Sequence, residues 1–132
     1  MKKFVINGQH ISLSQIDEVI KADLQIEIGP EAKKNIIKCR DYLEKKIASS
    51  DSLHYGINTG FGSLCNEVIS NEDLSKLQRN LVLSHACGMG DFIPEKIVRL
   101  MILLKVISLS HGHSGIQEQT INRLVFLYNE KI

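Results

Sequence analysis

Residues 97–109 place Ile97, Val98, Leu100, Met101, Ile102, Leu103, Leu104, Val106, Ile107 and Leu109 on one stretch of helical spacing, interrupted by Arg99 and Lys105. A helix with almost no polar face is stable in water only where other helices surround it. The stretch is too short and too charged to cross a bilayer, which takes about 20 apolar residues. The chain must therefore be mainly helical, and at 132 residues it holds too few neighbours to cover this segment on every side. Pro94 suits the first turn of that helix, where its missing N–H would have no partner in any case.

The flanking sequence supplies the other helices. Ser12 with Gln15 three residues on is a capping-box pattern, and Ile16, Val19 and Ile20 follow at helical spacing to about Ala22. Pro30 and Glu31 open a helix to about Ser50, with Ile36, Ile37, Leu43 and Ile47 facing inward and its lysines in solvent. Ser70 or Asn71 begins another, with Leu74, Leu77, Leu81 and Ser84 or His85 at spacings of three and four and Gly88 as its C-cap. Gln117 to about Glu130 forms the last, with Ile121, Leu124, Val125 and Tyr128 inward. Before them, residues 4–11 alternate about an Asn7-Gly8 turn signal, which predicts a small β-hairpin, and residues 24–28 suit a short strand. Residues 64–69 read as a short apolar piece. The expectation is one mainly α domain with a β-hairpin or short strands near its start.

Chemistry concentrates between helices. Residues 54–62, His-Tyr-Gly-Ile-Asn-Thr-Gly-Phe-Gly, describe an ordered loop: Gly56, Gly60 and Gly62 permit positive φ or close approach, while Asn58 and Thr59 can bond their own main chain. Tyr55 is an acid-base group in its middle. On composition alone this loop is equally a tight connection with Tyr55 and Phe61 as plugs over a helical core.

The Tyr55–Gly62 block, followed after a spacer by Leu-Gln-Arg-Asn-Leu-Val-Leu-Ser-His-Ala-Cys-Gly at 77–88, resembles the amino-terminal part of the histidine ammonia-lyases. The likeness continues through Val98-Arg99-Leu100-Met101 and Gly112-His113-Ser114-Gly115, so it covers nearly the whole chain. Several things follow from the resemblance. The family's fold is largely α-helical and its members are homotetramers whose sites combine residues of several subunits. Its reaction is elimination of ammonia from L-histidine to give urocanate. Its electrophile is a methylidene-imidazolone formed from an internal Ala-Ser-Gly; no Ala-Ser-Gly occurs in these 132 residues, so that segment and the central helical bundle are expected elsewhere.

The resemblance assigns roles residue by residue. Tyr55 matches the tyrosine that takes the β-proton. A phenol of ordinary pKa is only about a thousandth ionised at pH 7, so serving as a base needs phenolate stabilisation on the order of 4 kcal/mol. Gly62 matches a position whose main chain faces the substrate's amino end and the electrophile. His85 matches the position against the substrate's imidazole, where a second imidazole can donate or accept a hydrogen bond. In relatives acting on tyrosine or phenylalanine the pair aligned with Ser84-His85 is closer to His-Leu or Phe-Leu, so Ser84-His85 favours histidine. His54 departs from the apolar residue usual before the tyrosine and is read as solvent-facing.

Composition removes other classes. With 16 basic and 15 acidic residues spread along the chain, there is no electrostatic footprint for nucleic acid or an anionic membrane. Cys39, Cys65 and Cys87 match neither a disulfide framework nor a zinc site and read as buried, reduced thiols in a cytoplasmic protein. His111 and His113 lack a third metal ligand at suitable spacing. Two other readings stay open: a tyrosine or phenylalanine lyase or aminomutase of the same family, and a non-catalytic helical module that associates through residues 97–109.

Overall fold

In a computed structural model the described residues are 3–49, 52, 54–57, 59–60, 62, 69–70 and 73–132. The order of elements is β1 (Lys3–Ile6), α1 (Leu13–Lys21), β2 (Gln25–Ile28), α2 (Pro30–Ser49), α3 (Leu74–His85), α4 (Glu95–Ser110) and α5 (Glu118–Glu130). They divide into two compact units, Met1–Lys46 with Phe92–Ile132, and Ile47–Asp91. Among the described residues no helix is long and apolar enough to cross a membrane.

In the first unit, α4 and α5 pack on one another and α5 lies against β2. The core joins Ile6, Val19, Ile26, Ile36, Leu103, Val106, Leu109, Ile121 and Tyr128. The periodicity of α1, α4 and α5 is thus realised. On α2, Ile36 is buried while its neighbour Ile37 is exposed, because a 3.6-residue turn cannot put both on one line. Ser12 caps α1 as its sequence predicts: its Oγ accepts from the Gln15 N–H at 3.3 Å, and its own N–H donates to Gln15 Oε1 at 2.9 Å.

The hairpin does not form. β1 pairs with β2 in parallel, Phe4 opposite Ile26 and Ile6 opposite Ile28, with α1 between them in sequence. Residues 9–11 offer a return strand too short to hold a two-stranded ribbon in water, whereas Ile26 and Ile28 continue the buried side of β1. Asn7 is used for something else: its Oδ1 accepts from the N–H groups of Glu31 at 2.9 Å and Ala32 at 3.3 Å, capping α2 from a distance. Residue 29 must be glycine for this, since a Cβ there would lie 2.4 Å from that oxygen.

On its other side β2 meets α5. The Asn129 amide donates to the Ile26 carbonyl at 2.9 Å and accepts from the Ile26 N–H at 2.9 Å, standing in for a third strand. Asp23, at φ +51 just ahead of β2, accepts from Arg99 of α4 and from Lys131 at 2.6 Å. The Arg99 guanidinium also lies over the Tyr128 ring, 4.6 Å from its centroid. That contact covers the face of a buried phenol. Burial pushes the Tyr128 pKa up, and Arg99 pulls it part of the way back. The turn at 111–115 docks on α2, where Arg40 donates to the Gly115 carbonyl at 3.2 Å. The His111 and His113 rings stack beside it with centroids 6.5 Å apart.

Candidate functional site

Tyr55, Gly62 and His85 all fall in the second unit, Ile47–Asp91. The loop that carries Tyr55 is built by short-range bonds. The Ile57 N–H donates to the His54 carbonyl at 3.0 Å, which closes a turn with Gly56 at φ +74. Thr59 is buried; its hydroxyl donates to the Gly60 carbonyl at 3.0 Å and accepts from the Gly56 N–H at 3.4 Å. Thr59 therefore has the loop-building role its sequence suggests, while Asn58 and Phe61 lie outside the described residues. Tyr55 projects from the turn with 66% of its surface exposed, not as a plug over a core. His54, expected in solvent, is half-buried, since a closed turn does not alternate its side chains as an extended loop does.

Gly62 adopts φ +57, the left-handed region that side chains avoid, and a Cβ built on it meets no described residue within 4 Å. The left-handed backbone conformation by itself favours glycine here.

α3 is shorter than its pattern. It begins at Leu74, just after Asp73, whose N–H donates to Ser70 Oγ at 3.2 Å, and it ends at His85, followed by the C-cap Ala86, whose N–H donates to the Val82 carbonyl at 2.8 Å. Gly88 is not its C-cap: it does not take the left-handed conformation that such a cap uses. Because the helix stops early, Cys87 is exposed and not a buried thiol. Cys39 is half-buried, and Cys65 and residues 64–68 lie outside the described residues.

His85 is the last residue of α3 and is exposed. Its Nδ1 lies 2.8 Å from the Leu81 carbonyl oxygen and 3.0 Å from Ser84 Oγ, and the Ser84 hydroxyl donates to the same carbonyl at 2.9 Å. Sequence singled out Ser84 and His85 but not Leu81, because a backbone acceptor leaves no trace in residue identity. A cleft of about 710 Å³ along α2, and one of about 320 Å³ at the start of α3, contain none of the three candidates.

Residues 11–132 match a family model described as aromatic amino acid lyase. A histidine ammonia-lyase of Vibrio parahaemolyticus is 42% identical over 132 residues, all of this chain and 26% of that protein. Two solved structures superimpose on it. The ergothioneine-degrading ergothionase of Treponema denticola does so with a TM-score of 0.88 at 25% identity, covering 97% of this chain and 26% of that one. Histidine ammonia-lyase from Trypanosoma cruzi does so with a TM-score of 0.80 at 29% identity, covering 97% and 25% respectively. The chain spans about a quarter of the length of the relatives it matches.

Proposed function

The chain belongs to the aromatic amino acid lyase family, and from that premise we propose that it serves as the amino-terminal portion of a histidine ammonia-lyase. Such an enzyme deaminates L-histidine without oxidation to urocanate and ammonia, in histidine degradation in the cytoplasm. The observation that carries this reading is an exposed imidazole at the end of α3, at His85, in a chain 42% identical throughout to a protein of that name.

In this reading Tyr55 removes the β-proton and the His85 ring meets the substrate's imidazole. A base must be desolvated and placed within about 3 Å of the proton it takes. With 66% of its surface open, Tyr55 acquires that environment from walls outside this chain, in keeping with a homotetramer whose subunits share sites. These 132 residues contain no Ala-Ser-Gly, the segment from which the methylidene-imidazolone of the proposed enzyme would form. When bound, that group supplies an electrophile for a poor leaving group. The left-handed glycine backbone at Gly62, with no side chain to intervene, is the feature of this chain that fits beside it.

The test is a chimera in which this chain replaces the matching quarter of the Vibrio parahaemolyticus enzyme. Urocanate absorbance is expected from the chimera and not from residues 1–132 alone. Tyr55→Phe should lower kcat by about 10²–10⁴-fold, the usual worth of a positioned general base. His85→Leu should cost histidine turnover and admit tyrosine. An unchanged kcat in the first variant, or an unchanged preference in the second, refutes the corresponding role.

A further inference from the structure

We propose that Ser84 is a positioning residue which, with the Leu81 carbonyl, holds neutral His85 as its Nδ1–H tautomer and so presents Nε2 as a hydrogen-bond acceptor. A carbonyl oxygen only accepts hydrogen bonds. At 2.8 Å from the Leu81 oxygen, Nδ1 has to carry a hydrogen, because a bare nitrogen there would set one lone pair against another. The Ser84 hydroxyl gives its own hydrogen to the same carbonyl at 2.9 Å, so the oxygen lone pairs it turns toward Nδ1 at 3.0 Å also favour the Nδ1–H form. Both neighbours sit within one turn of α3, at i−4 and i−1 from His85, so they travel with the helix.

This names a substrate class. A neutral imidazole held this way offers one free nitrogen, and that nitrogen accepts. It selects a ring that carries an N–H donor and gains nothing from a phenyl ring, so a substrate lacking the donor leaves Nε2 unpaired in a dry site. The assignment rests on the reading that His85 meets the substrate ring, and its test separates the two.

The first measurement needs no substrate. Two-bond ¹H–¹⁵N spectra of the histidine-labelled chain, recorded well above the ordinary imidazole pKa of about 6.5, report which ring nitrogen is protonated. The expected pattern for His85 is a protonated Nδ1 and a bare Nε2, shifting toward a mixture in Ser84→Ala. A protonated Nε2, or an even mixture in the unsubstituted chain, overturns the proposal whatever His85 touches. The second measurement uses the chimera: Ser84→Ala should raise KM for histidine about five- to tenfold with kcat little changed, the worth of roughly one hydrogen bond, and Ser84→Thr should restore it. If His85→Ala raises KM and Ser84→Ala does not, the positioning role fails and the ring contact stands. If neither raises it, the ring contact itself fails.

Discussion

Asp23 is where single-residue electrostatics matter most in the first unit. Its carboxylate takes a hydrogen bond from Lys131 at 2.6 Å and another from Arg99, and these cations, Lys131 first, hold its pKa below the ordinary carboxylate value. A carboxyl depressed in the folded state stabilises it fully above the unfolded pKa of about 3.9. That contribution is lost as pH falls through the folded pKa, because the unfolded chain binds the proton first. Stability in urea should therefore drop on acidification below about pH 4, and Asp23→Asn should flatten the drop. Glu118, held down by Lys33, acts in the same direction and keeps the slope above zero in that variant. Superimposable pH profiles for the two proteins would remove Asp23 from the account. The partners of Asp23 lie 76 and 108 residues away, so nothing in the sequence pointed to them. Tyr55, Gly62 and His85 were singled out by a different route: each lies in a local block whose resemblance to a family motif needs no knowledge of the fold.

At the level of elements, two asparagines do work that neither periodicity nor turn propensity encodes. Asn7 closes the start of α2 and Asn129 completes the edge of β2, and in a sequence both look like loop or surface residues. The hairpin expectation failed at the first of these, since Asn-Gly is a turn signal only when a return strand follows. α1, α2, α4 and α5 were readable to within a few residues because their caps and apolar stripes are local. α3 was overextended because Gly88 resembles a cap in sequence but lies past the point where the backbone leaves the helix. Asn129→Ala should strip the Ile26 N–H and C=O of their side-chain partner and cost about 1–3 kcal/mol in chemical denaturation. Asn129→Asp keeps the acceptor and loses the donor, so it should fall between. Equal stability for all three proteins would mean that solvent serves the strand edge as well as the amide does.

At the scale of the whole molecule, the described residues leave large apolar side chains in solvent. α4 buries Leu103, Val106 and Leu109, yet Ile97, Met101 and Leu104 form a second stripe at spacings of four and three that stays open, Met101 at 57%. In the other unit Val82, Leu83 and Met89 are likewise exposed. An all-round apolar helix was legible in the sequence, and so was the shortage of neighbours; which side would be left open was not, because that depends on where α5 and α1 dock. Contiguous exposed apolar side chains at helical spacing favour association, at roughly 25 cal/mol for each Å² removed from water. The isolated chain should therefore self-associate, with a sedimentation coefficient that rises with concentration. Met101→Glu places a charge in the middle of the open stripe, touches none of the buried side of α4, and should lower the association without lowering helix content. A wild-type chain that sediments as a monomer at every concentration would show the stripe to be too small or too mobile to drive assembly. An unchanged profile in Met101→Glu would move the contact to another surface, with Val82, Leu83 and Met89 next to be substituted.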